Sequence, residues 1–140
     1  MNPAALREAI FDALNVIDVT ILLSDEYGAI PAIFSEAALQ ATDSGAGEFF
    51  PYVSFSVPSD FAYNDKGQTG SNAVVQIDVW SRSGIDECET ITRAIYEAID
   101  RSTIGVVGHI ETQCEEIRFS LDPDGLTRRG LMSFRVVALA

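Results

Sequence analysis

The residues that decide the fold lie between Pro51 and Ile99: PYVSFSV at 51–57, PSDFAYNDKGQTGS at 58–71, NAVVQIDVWSR at 72–82 and GIDECETITRAIYEAI at 84–99. In the first stretch Val53, Phe55 and Val57 alternate with Tyr52, Ser54 and Ser56, the two-residue period of a half-buried strand, and Pro58 ends the run. In the third, Ala73, Val75, Ile77 and Val79 share one face and Val74, Gln76, Asp78 and Trp80 the other. The first set is the predicted core face. The fourth stretch changes period: Ile85, Cys88, Ile91, Ala94, Ile95, Ala98 and Ile99 form one apolar helical stripe. Asp86, Glu87 and Glu89 fall in its first turns, where negative charge complements the helix dipole, and Arg101 follows its end. Those acids need no active site to explain them.

Upstream, Leu6, Ala9, Ile10, Ala13, Leu14 and Ile17 recur at spacings of three and four with Pro3 in the first turn, which predicts a helix over 3–16. From Val19 to Phe49 the pattern blurs. VTILLS could extend the helix, IPAIF could be a short strand, EAALQA could be a helical turn, and TDSGAGE reads as loop. Downstream, two strands are expected at about 109–121 and 129–139, joined by the turn residues Asp122, Pro123, Asp124 and Gly125. The apolar parity moves from Ile110 and Cys114 to Ile117, Phe119 and Leu121, which predicts a bulge near Glu115 and Glu116. Met132, Phe134, Val136 and Ala138 share a face of the last strand. These elements add up to an α+β two-layer sandwich, a mainly antiparallel sheet of about four main strands with two helices on one face. A single domain over 1–140 is expected, with an irregular region at about 19–50 and a long loop at about 58–71.

The 140 residues are 47% hydrophobic, enough for one core. No segment approaches a membrane span and the start lacks a signal-peptide pattern, so a soluble protein made in the cytoplasm is expected. The net charge is −12, and residues 1–50 hold eight acids against one base while the last forty hold five of each. Such a surface repels phosphate backbones and argues against ordinary nucleic-acid binding.

Chemistry finds little to work with. His109 is the sole histidine, so no triad or multi-histidine metal site can form within one chain. Cys88 and Cys114 match no metal spacing and read as small buried hydrophobes. The DPDG at 122–125 lacks the further oxygens of a calcium loop and reads as a turn. GAG at 45–47 and KGQTG at 66–70 lack the strand-to-helix setting of a phosphate cradle. Glu115 and Glu116 are adjacent in a strand and face opposite sides, which does not suit an acid–base pair. No catalytic, cofactor-binding or metal-binding residue is assigned, no cofactor is expected, and the chain does not read as an enzyme. The connection at 58–71 is long for a hairpin, and its Phe61 and Tyr63 are poorly placed in water unless folded back or covered. An exposed mobile loop and a docking arm both fit it.

With Pro51 and Tyr52 opening a strand, Asp78, Val79, Trp80 and Ser81 closing the next, and a helix from near Gly84, the chain resembles the tail terminator, or tail completion, proteins of long-tailed bacteriophages and phage-derived particles such as gene transfer agents. The likeness covers about 50–140 and, more loosely, the N-terminal helix, while 16–49 departs from the family pattern. The resemblance implies a structural virion protein at the head-proximal end of the tail, assembled in the host cytoplasm. It would form a ring, usually a hexamer, that caps the tail tube, stops tube polymerisation and offers the attachment surface for the head-side connector. Its partners would be its own copies, the tail tube protein, and a connector or stopper protein, and charge crowding at −12 per copy fits a monomer in solution that closes into a ring only on its target. DNA would pass through the lumen without specific binding, and no membrane would be involved. In that setting Phe61, Tyr63, Asp65 and Lys66 are the candidate interface residues of the loop. Arg128 and Arg129 are candidate charge contacts to the acidic half of a neighbour, or simply solvated. The alternatives are another neck or tail component, such as a head–tail connector or tube subunit, and less favoured, a small ligand-binding domain or enzyme.

Overall fold

The computed structural model describes residues 3–35, 49–65 and 68–139, with residues 3, 59–65, 68, 69 and 71 described through their backbone alone. Its elements are α1 (Pro3–Leu14), α2 (Ile17–Thr20), β1 (Ile33–Ser35), β2 (Tyr52–Asp65), β3 (Gln68–Ser81), α3 (Ile85–Ile99), β4 (His109–Leu121) and β5 (Arg128–Leu139). The strands form one sheet in the order β1-β2-β3-β5-β4. β1 pairs parallel to β2, and the other neighbours are antiparallel. The fold is α+β, with five strands where about four were expected and with three helices, of which α2 is a single turn.

Periodicity decides which face is inside. Val53, Val75, Ile77, Val79, Met132 and Phe134 share one buried cluster with Leu6, Ile10 and Leu14 of α1 and Ile91, Ile95 and Ile99 of α3. The predicted core face of β3, from Ala73 to Val79, is fully buried. Gly130 of β5 lets α3 come close: a Cβ there would sit 2.6 Å from the Thr92 hydroxyl and 3.3 Å from the Cys88 sulfur. Helix α1 ends two residues earlier than predicted, because Val16 turns to extended backbone (φ −119°, ψ 152°) before α2 begins.

The segment 58–71 is not the loop that was expected. β2 and β3 remain paired out to Asp65 and Gln68, so most of it is a continuation of the sheet. Between Ser56 and Ser59 the register shifts, and Val57 and Pro58 lie against Val75 alone. Proline lacks a ladder N–H, and the bulge places it where the ladder is already broken. Behind this hairpin, β3 stays paired with β5 as far as Gly70 opposite Leu139. In the region expected to be irregular, the three residues of β1 pair with Val53, Ser54 and Phe55. EAALQA and TDSGAGE fall outside the described residues.

The predicted bulge in β4 is present: its register to β5 shifts between Cys114 and Glu116, and again between His109 and Glu111. The first shift is tied to the end of α3, where the Asp100 carboxylate accepts the Cys114 N–H at 2.8 Å. The β4–β5 turn is organised by Asp124, whose carboxylate accepts the N–H groups of Leu126 and Thr127 and the Thr127 hydroxyl at 2.7–2.9 Å. These bonds to Thr127 and Leu126 favour the ionised form and hold its pKa down at about 2. A depressed carboxylate stabilises the fold above its unfolded pKa and loses that contribution as pH falls through the folded value. The expected result is a stability difference between wild type and Asp124→Asn that is full at neutral pH and shrinks between about pH 4 and pH 2. Urea midpoints across that range measure it.

Candidate interaction surfaces

On the sheet face away from the helices, Tyr52, Ser54, Asp78, Trp80 and Arg129 are brought together by the register Tyr52↔Trp80↔Arg129 and Ser54↔Asp78. The Trp80 indole N–H donates to Ser54 Oγ at 3.0 Å, and its ring stacks on Tyr52 at 6.0 Å. The Arg129 guanidinium lies over Trp80 at 5.1 Å and donates through Nε and Nη2 to Asp78 Oδ1 at 3.2 and 3.1 Å. Tyr52 also meets Phe34 and Phe50, and Tyr27 joins Phe34 and Phe49 edge-on, which closes this end of the sheet. At the strand end Ser81 donates to Glu87 of α3 at 2.6 Å. The Tyr-and-Asp-Val-Trp-Ser pattern thus builds an internal lock between β2, β3, β5 and α3.

Asp78 is only 8% exposed, so removing Arg129 leaves a carboxylate with little water. Arg129→Ala should cost about 1–3 kcal/mol and Arg129→Lys less, since lysine keeps the charge but not the flat double donor. Urea unfolding of the two variants measures this. Arg129 is therefore held within its own chain. Arg128 is on the opposite, helix-bearing face, paired in register with Ser81 and Leu121.

Phe61, Tyr63 and Asp65 lie on the distal part of β2, where the backbone is described but the side chains are not, and Lys66 lies outside the described residues. His109 pairs with the buried Thr112 hydroxyl at 2.6 Å. Both cysteines are free thiols, and burial pushes Cys88 up to about 11 and Cys114 upward as well, which leaves neither a ready nucleophile. Among the described residues no group of three His, Cys, Asp or Glu side chains is placed to hold a metal ion, and no helix is long and apolar enough to cross a membrane.

Two apolar surfaces were not apparent from the sequence. Ile17 at the start of α2 and Ile21 just after it are 71% and 72% exposed, although Ile17 belongs to the apolar series predicted for the N-terminal helix. On β4, Ile117, Phe119 and Leu121 point to the helix side, as the parity shift predicts, yet remain 40–49% exposed. Parity tells which face a residue takes, not whether a helix covers it. The available signal is on α3, whose Asp86, Glu89, Arg93 and Glu97 line an open groove with Ile117 and Phe119.

Among the described residues the subunit presents the outer edge of β4 and the exposed apolar side chains Ile17, Ile21, Ile117, Phe119 and Leu121. The chain belongs to the tail completion protein gp17 family, whose model matches residues 8–139. It is accordingly a structural component of a phage-type virion tail. Its fold is similar to that of a chain in the virion of a native gene transfer agent particle, with a TM-score of 0.73 at 17% identity over 98% of this chain and 96% of that one. It is also similar to the gp17 protein of bacteriophage SPP1, with a TM-score of 0.54 at 16% identity over 96% of this chain and 88% of that one. No curated protein matches the sequence.

Proposed function

We propose that this chain closes the head-proximal end of the tail tube as a ring of its own copies, arrests tube growth and presents the surface that the head-side connector binds. The observation that carries this reading is the family match across residues 8–139. The extended β2–β3 hairpin is the arm that engages the tube or the adjacent subunit, with Phe61, Tyr63 and Asp65 on β2 and Lys66 next to it in sequence. Arg128 is the better placed of the two arginines for a neighbour's acidic surface, because Arg129 is already paired.

The charge of −12 suits a ring through which DNA moves, since acids lining the lumen repel the duplex instead of gripping it. The same charge opposes closure of free copies, so salt and the tube surface both favour the ring, and a monomer in solution follows. The test is polymerisation of the tail tube subunit encoded alongside this chain, with the chain added well below one copy per tube subunit. Shorter tubes with unchanged protein mass per unit length are expected. Unchanged lengths, or filaments formed by this chain alone, would refute the capping role.

A further inference from the structure

We infer that the groove between α3 and β4 accepts an extended segment of a different protein in which every second residue is apolar or basic. β4 is the last strand of the sheet; near its start the Thr112 carbonyl and the Cys114 N–H are taken by Arg101 and Asp100, while the outer edge from Glu116 to Leu121 has no strand partner among the described residues. The bulge before it and the charged pair Glu116–Arg118 blunt this edge only in part, and the run from Glu116 to Leu121 keeps regular register with β5 and is exposed throughout. It can therefore template a sixth strand by main-chain pairing.

The side chains of an added strand that point to the helix side would meet Ile117 and Phe119 below and α3 beside them. Helix α3 packs chiefly on β3 and β5, which leaves an open groove of about 820 Å³ over β4. Its α3 wall carries Asp86, Glu89 and Glu97 against the single cation Arg93. A residue entering there does best with an apolar stem against Phe119 and a positive head for Glu89 and Glu97, which describes arginine or lysine, or a plain apolar side chain.

Charge disfavours a second copy as the occupant of this acidic groove, whatever contacts the ring makes elsewhere. The chain carries −12, and five of its nine basic residues, Arg82, Arg101, Arg118, Arg129 and Arg135, are already in ion pairs of their own chain, while Arg128 serves the separate ring contact proposed above. A partner with basic residues on alternate positions meets the groove without that repulsion.

The test is an NMR titration of the whole chain with two capped peptides. One has threonine alternating with arginine, valine and arginine, and in the other glutamate replaces arginine. Shifts confined to Glu116–Leu121 and the groove side of α3 are expected, with the arginine peptide binding about tenfold tighter and losing that margin in high salt. Glu89→Lys combined with Glu97→Lys, both exposed, should abolish or invert the preference, and Phe119→Ser should weaken both peptides. Equal binding of the two peptides, shifts elsewhere, or a double reversal without effect would overturn the inference. So would self-association that protects the β4 amides without peptide, which would give the groove to a second copy. Tube capping forms no part of this readout, so failure here leaves the proposed function standing, and the reverse.

Discussion

Gly108→Ala should cost more than about 3 kcal/mol of folding stability, through two effects that act together. Gly108 has φ +75°, a conformation that side chains with a Cβ rarely adopt, and the added methyl would overlap the Leu139 carbonyl. Backbone cannot swing aside as a flexible side chain would. The site is also a junction: the Leu139 N–H donates to the Gly108 carbonyl at 2.8 Å, and Leu139 pairs on its other side with Gly70 of β3. Strain at Gly108 therefore reaches the β2–β3 hairpin at Gly70 as well as the start of β4. Urea unfolding measures the loss, and Gly105→Ala is the control, since a Cβ there has nothing within 4 Å and should shift stability by less than about 0.5 kcal/mol.

Phe134→Ala should be comparably severe, at about 3–5 kcal/mol, because it empties the largest fully buried side chain of the core. Phe134 stands on β5 opposite Val75 of β3 and Cys114 of β4, at the middle of the sheet and beside the β4 bulge. Leucine recovers much of the lost volume, so Phe134→Leu should cost distinctly less. A shift in urea midpoint at constant slope would show that the cavity acts on the native state; a changed slope would place part of the effect in the unfolded chain.

What the sequence made legible follows from periodicity. The core faces of β3 and β5, the stripe of α3 and the β4 bulge are all parity or 3.6-residue patterns, and burial followed the pattern on β3, β5 and α3. The hairpin was misread because Pro58, Asn64, Asp65, Gly67 and Gly70 carry loop chemistry at a place where pairing across β3 governs the backbone. The bulge at Val57 and Pro58 reconciles the two, and nothing local to that segment announces it. β1 was legible only as one option, the short strand that IPAIF could form: three residues carry no period, and its parallel pairing with Val53–Phe55 is a long-range contact. For the interaction surfaces, the sequence showed apolar residues at 117, 119 and 121 but not that α3 stops short of covering them. The Asp78–Arg129 pair lies 51 residues apart in the chain, so two arginines in a row read as solvated or intermolecular until the register brought Arg129 beside Trp80 and left Arg128 on the other face.

The most direct test of the capping account is electron microscopy of the ends of tail tubes grown with and without this chain. A ring of extra density at one end of each tube, absent when the chain is withheld and coupled to arrested growth, is the predicted result. Tubes with bare ends, or density spread along their whole length, would contradict it.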